Sequence, residues 1–471
     1  MGDPLGDRPR LGAALRQAAA AAEDYLAGID GSPAAPPGID GAAAAFGDPE
    51  LPEIGAGSER ALAELIEAGI PAATRSAGPR FFHFVTGGGT PAALAADWLA
   101  STLDQNSFSW VSSPLGSRLE RVAVGWLKQL FDLPSSWGAV LTTGATMANF
   151  TALAAARRWW ALEQGHDVDE LGWAGLPPLP VLATPHVHTS AVKALTMLGA
   201  GRRNVRRLEP DDLEASLRAL GGRPAVVIAT AGEVNGGGFD PVAKMAEIAH
   251  RHHAWLHVDG AFGLFARVST LARELAEGVD RADSVIADGH KWLNVPYDCG
   301  FAFVRDPELM HGTFRLTGAP YLPLGSDERP SFGDRGPEAS RRARAIAVWA
   351  TLRAYGRTGY RDMVDRHIAL ARRVGEQVEA AADLELLAPV RLNVICFRFR
   401  PPGYREADLD ELNRRLGAAV LADGRVYFGT TVYRGVVAFR PAISNWRTTA
   451  EDADLIVEVA RELGSRLLAR A

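Results

Sequence analysis

The chain has 471 residues, 47% of them hydrophobic, with 50 Lys and Arg against 56 Asp and Glu for a net charge of −6. That length exceeds one compact unit of ordinary size, so two or three lobes are expected. The mildly acidic balance, without a dense Lys/Arg block, excludes nucleic acid and anionic membranes as expected partners. Cys299 and Cys396 are the two cysteines; they exclude a disulfide framework and fit a reducing compartment.

In chain order, the first predicted element is a helix over residues 11–28. Ala, Leu, Arg and Gln favour helix, and Leu11, Leu15 and Tyr25 can share one apolar face. The Ala-rich run Ala13–Ala22 is accompanied by Arg16, Gln17, Glu23 and Asp24 and has neither the basic start nor the apolar region of a secretory signal. No apolar stretch approaches the roughly 18–20 residues of a membrane span, so a soluble, cytoplasmic protein is expected. Residues 28–57 are rich in Gly, Pro and Ala and read as a linker or wrapping loop. A helix capped by Ser58 is expected to follow, to about Gly69. This segment is too poor in large apolar residues to fold alone and is expected to pack on a neighbour such as another subunit.

From Phe81 the pattern changes. Strands are predicted at Ala139–Thr142, Val181–Thr184, Ala225–Thr230, Trp255–Val258, Ser284–Ala287 and Phe301–Val304. Helices at Asn149–Gln164, Thr189–Gly199, Asp211–Leu220 and Val242–His253 fall between them. Such alternation predicts an α/β domain with a largely parallel sheet. From about Tyr360, two long amphipathic helices and strands near Val394–Phe399, Val426–Phe428 and Gly435–Arg440 predict a smaller α+β lobe. The expected organisation is an N-terminal helical arm over residues 1–80, a large domain over 81–350 and a small domain over 351–471.

The chemistry concentrates in Asp283-Ser-Val-Ile-Ala-Asp-Gly-His-Lys-Trp-Leu-Asn294, where an apolar strand runs into a polar turn carrying His290 and Lys291. A lysine at a strand end can point into a cleft and act as an amine nucleophile, whereas an isolated lysine is ordinarily a solvated one. Its partners favour the first reading. Asp259 ends another apolar strand in Trp255-Leu-His-Val-Asp-Gly-Ala-Phe262. Pyridoxal phosphate needs an acid on its ring nitrogen, and Gly260 and Ala261 would let a ring approach the backbone; capping a helix is the alternative for this Asp. In Leu141-Thr-Thr-Gly-Ala-Thr-Met-Ala-Asn149, the amides of Ala145 and Thr146 and the Thr146 hydroxyl form a candidate phosphate site, or else a plain tight turn. His188, in Thr184-Pro-His-Val-His-Thr-Ser190, is expected at a strand end, poised to stack on a ring; His186 is equally eligible by chemistry alone.

These pieces, in this order, resemble the group II pyridoxal-dependent decarboxylases, the family of aromatic amino acid and glutamate decarboxylases, from about Phe81 to Arg447. The resemblance implies the aspartate aminotransferase fold (fold type I) and pyridoxal 5′-phosphate joined to Lys291, with no metal. It further implies Asp259 on the ring nitrogen, His188 stacked on the ring, Ala145 and Thr146 on the phosphate, and His290 near the substrate carboxylate. Thr230 and Ala261 join the cofactor contacts. Phe84, Val85 and Thr86 would line the substrate pocket, completed by Phe108 in the segment Asn106–Pro114 that, with Glu120, enters from the other subunit of a homodimer. Tyr321, in Gly318-Ala-Pro-Tyr-Leu-Pro323, would protonate Cα after CO2 leaves. Two departures stand out. Glu233 replaces the family's small hydroxyl residue and is expected either near the ring oxygen or, by preference, facing solvent. The stretch Phe81-Phe-His-Phe-Val-Thr-Gly-Gly-Gly89 lacks some of the aromatic bulk of aromatic decarboxylases. The implied activity is decarboxylation of an L-amino acid to the amine and CO2, aromatic preferred over glutamate or aspartate. The alternatives are an aldehyde-forming oxidative deaminase or another lyase or transferase on the same scaffold; the complete Lys291, Asp259 and His188 set argues against a silent partner subunit. No roles are assigned to Arg341 and Arg342.

Overall fold

Seven strands assemble into one sheet, all but the third built on short apolar runs: β1 (Gly138–Thr142), β2 (Val181–Ala183), β3 (Val205–Arg207), β4 (Ala225–Thr230), β5 (Ala254–Asp259), β6 (Ser284–Asp288) and β7 (Gly300–Val304). The computed structural model describes residues 3–47, 50–316, 325–326 and 328–469. They divide into two compact units, one of Gly87–Arg372 with Pro389–Val394, the other of Met1–Thr86 with Arg373–Ala388 and Ile395–Ala471.

In the larger unit the strand order is β1-β7-β6-β5-β4-β2-β3. The strands from β6 to β3 run parallel, and β7 is antiparallel to both of its neighbours. Every strand except β3 is buried along its length. Helices cover such a sheet on both faces, which is why its strands read as unbroken apolar runs. Parallel register places Thr230 opposite Asp259, and Asp259 opposite Ile286, so the carboxyl ends of β4, β5 and β6 open side by side. In parallel sheets this is where ligands bind. The helix Ala145–Leu162 packs across β6 and β7 and starts directly above those ends.

The structure corrects several expectations here. The helix after β1 starts at Ala145, four residues before Asn149, because the chain turns at Gly144 straight into helix. β3 was not expected: its three residues, Val205-Arg-Arg207, carry no apolar run and lie half exposed at the sheet edge. The helix Ala345–Ala380 begins well before Tyr360 and breaks at Gly356, whose φ of 58° and ψ of −172° suit glycine alone.

In the smaller unit β8 (Leu384–Leu386), β9 (Phe397–Phe399), β10 (Thr430–Tyr433) and β11 (Val436–Phe439) form an antiparallel sheet in the order β10-β11-β9-β8. Phe397, Phe428 and Phe439 pack ring to ring within its core. Val426–Phe428 is not a strand; Tyr427 makes an isolated bridge to Phe81. The helices Leu409–Asp423 and Ala450–Ala469 pack on this sheet and on each other. The N-terminal helix spans Leu11–Gly28 as expected, yet none of its residues is buried. Ser58 does not cap the helix it begins, Ser58–Glu64. Gly57 holds the cap position, and the Ser58 amide instead donates to Asp7 Oδ2 at 3.1 Å. Among the described residues, no helix is long and apolar enough to cross a membrane, and no group of three or more His, Cys, Asp or Glu could hold a metal ion.

Candidate active site

At the end of β5, Asp259 is buried, 3% exposed, and both of its carboxylate oxygens are held. Ala261 N donates to Oδ1 at 3.2 Å and Asn149 Nδ2 donates to Oδ2 at 3.1 Å. Asn149, one turn into the helix Ala145–Leu162, is itself fixed. Its Oδ1 accepts from His257 Nε2 at 2.8 Å, and its Nδ2 also reaches Ser190 Oγ at 3.2 Å. His257 receives the Ser284 hydroxyl on Nδ1 at 2.8 Å, and Ser284 Oγ in turn accepts from Trp255 Nε1 at 2.9 Å. Complete burial pushes the His257 pKa down to about 4, against the pull of the Asp259 charge, so the ring is neutral and its tautomer is set by these two bonds. The strand thus delivers a carboxylate whose orientation the Ala261 amide and Asn149 define.

Ser190 extends the network to His188, bonding to its Nδ1 at 2.7 Å. His188 does not end a strand, since β2 stops at Ala183. It caps the helix Thr189–Met197, its Nδ1 accepting from the Ser190 amide at 3.2 Å, and the side chain lies exposed. His186 turns elsewhere, 3.6 Å from Asp240 Oδ1. Asp240 accepts from Thr184 Oγ1 and from the Thr230 amide, each at 2.7 Å, which ties the ends of β2 and β4 together.

β6 brings Asp288, His290 and Lys291. Asp288 Oδ2 lies 3.6 Å from Lys291 Nζ and 3.4 Å from His290 Nε2, while Oδ1 accepts from the Ala145 amide at 2.9 Å. The first amide of the helix Ala145–Leu162 and the lysine therefore converge on one carboxylate. Burial raises the Asp288 pKa, opposed by Lys291 and His290, and burial lowers that of His290. The His290 ring stacks on Tyr297, with centroids 4.1 Å apart. Backbone approach is close around this turn: a Cβ at Gly87 would fall 1.8 Å from the Lys291 carbonyl oxygen.

Two buried polar atoms here, Thr230 Oγ1 and His290 Nδ1, have no hydrogen-bond partner among the described residues. With a helix N-terminus, a buried strand-end carboxylate and a primary amine, they make a set of polar groups that fits a phosphorylated pyridine aldehyde such as pyridoxal phosphate. Lys291, Asp259, Ala145, Thr146, Thr230 and His290 would hold it.

The other expected residues lie as follows. Phe108 is buried, and its carbonyl accepts from Phe332 and Gly333 N at 3.0 and 2.9 Å. Phe84, Val85 and Thr86 fall in the smaller unit. Phe84 and Val85 both have left-handed backbones, φ 57° and 58°. That is uncommon for any side chain and an outlier for a β-branched one. Thr86 Oγ1 donates to the His83 carbonyl at 3.2 Å, and its own carbonyl accepts from Ser444 Oγ at 3.1 Å. Tyr321 lies outside the described residues. Glu233 does not face solvent: it is buried and caps its own turn, taking the Asn235 amide on Oε1 at 2.9 Å and the Gly236 amide on Oε2 at 2.6 Å.

Sequence reasoning gave no role to Asn149, His257, Asp288 or Arg341. For His257 and Asp288 the signal was present, as polar residues inside or ending strands otherwise apolar. Arg341 makes a two-pronged pair with Glu120, Nη2 to Oε1 at 2.6 Å and Nη1 to Oε2 at 3.0 Å, both side chains being 2% exposed. The pair also bonds Leu141 in β1, whose amide donates to Glu120 Oε1 at 3.0 Å and whose carbonyl accepts from Arg341 Nη2 at 2.8 Å. Arg342 reaches Asp97 Oδ1 at 2.8 Å near the surface.

A family model described as the pyridoxal-dependent decarboxylase conserved domain matches residues 46–400. The aromatic-L-amino-acid decarboxylase of Bacillus atrophaeus is 31% identical over 389 residues, 79% of this chain and 78% of that one. The L-2,4-diaminobutyrate decarboxylase of Rhizobium meliloti is 31% identical over 444 residues, 88% and 84% of the two chains. A crystal structure of Oryza sativa TDC with PLP and tryptamine superposes with a TM-score of 0.89 at 28% identity, covering 98% of each chain.

Proposed function

The chain belongs to the pyridoxal-dependent decarboxylase family, and on that premise we propose that it decarboxylates an aromatic L-amino acid to the corresponding amine. The observation that carries the activity is the convergence of Lys291 and the Ala145 amide on Asp288 beside the buried Asp259. The aromatic preference draws on the Bacillus relative and on the tryptamine-bound Oryza structure. The Rhizobium relative, equally similar, makes a 2,4-diaminobutyrate-type substrate the second reading.

When bound, pyridoxal phosphate supplies a protonated pyridine ring that withdraws electrons from the substrate's Cα. The protein's part divides among its residues. Lys291 would supply the amine that holds the cofactor. Asp259, oriented by Asn149 and the Ala261 amide, would keep a proton on the ring nitrogen. His188 would cover the ring face, Ala145 and Thr146 would bind the phosphate, and His290 would stand by the substrate carboxylate. Tyr321 would return a proton to Cα, and a partner subunit's copy of the Phe108 segment would line the substrate side chain.

The test is CO2 release from a panel of L-tryptophan, L-tyrosine, L-phenylalanine, L-2,4-diaminobutyrate and L-glutamate, with amine and aldehyde measured together. An aromatic substrate is expected to lead by at least tenfold in kcat/KM, with amine as product. A lead for diaminobutyrate or glutamate rejects the aromatic preference, and aldehyde with oxygen uptake from the wild-type enzyme rejects the amine product. Tyr321→Phe is expected to lower amine yield, because a positioned general acid contributes on the order of 10²–10⁴-fold.

A further inference from the structure

The phosphate-binding end of the site already contains an anion of the protein's own. Asp288 Oδ1 accepts from the Ala145 amide at 2.9 Å, and Ala145 is the first residue of the 18-residue helix Ala145–Leu162. That amide carries the positive end of the helix dipole and would otherwise point at an incoming phosphate. Asp288 is 3% exposed, so water does little to screen it.

We propose that Asp288 is a stand-in anion at the cofactor's phosphate site, and that the phosphate is accommodated only when Asp288 takes up a proton. The proposal rests on the reading that Ala145 and Thr146 form the phosphate cup. Its physical basis is that two anions cannot share one buried amide pole: like charges a few ångströms apart in a dry site force one of them to be neutralised. Above the second ionisation of a phosphate ester, near pH 6, both groups would be anions; free in water the phosphate is the more basic of the two, but Asp288 is 3% exposed and held against the Ala145 amide, so its carboxyl is the one that takes the proton. As a neutral acid, Asp288 can keep its bond from Ala145 and donate its own O–H to a phosphate oxygen.

The surroundings suit such a group. Lys291 and His290 face it from the turn after β6, at 3.6 and 3.4 Å, and favour the ionised form. Asp259, from the neighbouring strand β5, opposes that form, and burial raises the Asp288 pKa. The Cys299 thiol, from the turn before β7, is buried and held neutral, its pKa pushed up by burial. Asp288 is thus poised between two states that a nearby anion can switch. Linkage then requires cofactor affinity to fall as pH rises.

The experiment uses 4-deoxypyridoxine 5′-phosphate, which lacks the aldehyde and so leaves Lys291 chemistry silent. Its binding is measured by calorimetry between pH 7 and 9 in pairs of buffers with different ionisation enthalpies, for wild type and Asp288→Asn. Wild type is expected to take up about one proton more than the variant per ligand bound. Its affinity is expected to fall on the order of tenfold per pH unit relative to the variant once Asp288 is ionised in the empty protein. Equal proton uptake in the two proteins overturns the proposal. Thr146→Glu separates this from a failure of the phosphate cup, since it should weaken the analogue at least tenfold. If it does not, the cup reading fails and takes the proposal with it. Should Asp288→Asn not fold, difference infrared spectra of wild type answer the same question. A protonated carboxyl band that grows in on binding supports the proposal, and its absence overturns it.

Discussion

His257 stands one residue behind the carboxylate proposed to meet the cofactor and sets its geometry. It holds Asn149, and Asn149 holds Asp259 Oδ2. Its cost appears at low pH. The folded pKa of about 4 lies below the ordinary 6.5, so the unfolded chain binds the proton more readily. The stability tied to a neutral His257 is fully present above pH 6.5 and is lost as pH falls toward 4, by about 3 kcal/mol over that window. Urea unfolding between pH 4 and 7 should show this acid limb in wild type and a shallower one in His257→Gln; identical limbs would reject the assignment. Two substitutions test the chemistry itself. Lys291→Ala should abolish any borohydride-reducible protein–cofactor link and lower turnover by several orders of magnitude. Asp259→Asn should keep bound cofactor but lose most activity, because the phosphate contacts remain while the ring-nitrogen proton does not. Spectra recorded beside rates separate the two outcomes, and near wild-type turnover in Asp259→Asn would move the ring-nitrogen role elsewhere.

The helix Ala345–Ala380 depends on its break. Gly356 occupies a conformation closed to side chains, and nothing lies within 4 Å of where its Cβ would sit, so any penalty there is backbone strain and not crowding. Gly356→Ala should lower stability by about 1–3 kcal/mol in urea unfolding; an unchanged midpoint would mean the two helical halves can merge without penalty. This break was illegible beforehand because a helical pattern reports which faces are apolar and says nothing of a single left-handed residue. Apolar runs did locate the six buried strands of the large sheet to within a few residues, since burial on both faces leaves only one composition open to them. They failed where burial was partial, as at Val205–Arg207, and where an apolar triplet, Val426–Phe428, makes a single bridge in place of a strand. The site follows the same logic. Lys291, Asp259 and Ala145 stand out by their place at strand ends and a helix start. Glu233 misled because a carboxylate that caps its own turn reads as a surface residue, and the partners of Arg341 are 200 or more residues away in the chain.

At the scale of the molecule, the N-terminal helix poses the question of what covers it. Leu11 and Leu15 are 62% and 57% exposed, and Leu51 and Ile54 beyond them 94% and 77%. A helix this marginal by itself gains its stability from packing, and a second copy of the chain is the cover proposed here. Light scattering should report a homodimer, and removal of residues 1–57 should give a monomer with little activity; an active monomer from either protein would reject the arrangement. The pair Arg341–Glu120 bears on assembly in a different way. β1 is the outermost strand of the large sheet beside β7, and an outermost strand ordinarily leaves amides and carbonyls open to recruit a foreign strand. At Leu141 both open groups are already taken, the amide by Glu120 and the carbonyl by Arg341. Two side chains thus do the hydrogen bonding of an absent eighth strand, and a charged fork is a template that no extended peptide can copy. Glu120→Ala would uncover the sheet's margin as well as strand a buried cation, a loss of about 3–5 kcal/mol. It should therefore aggregate on mild heating at temperatures where the wild-type protein stays clear, as turbidity would record.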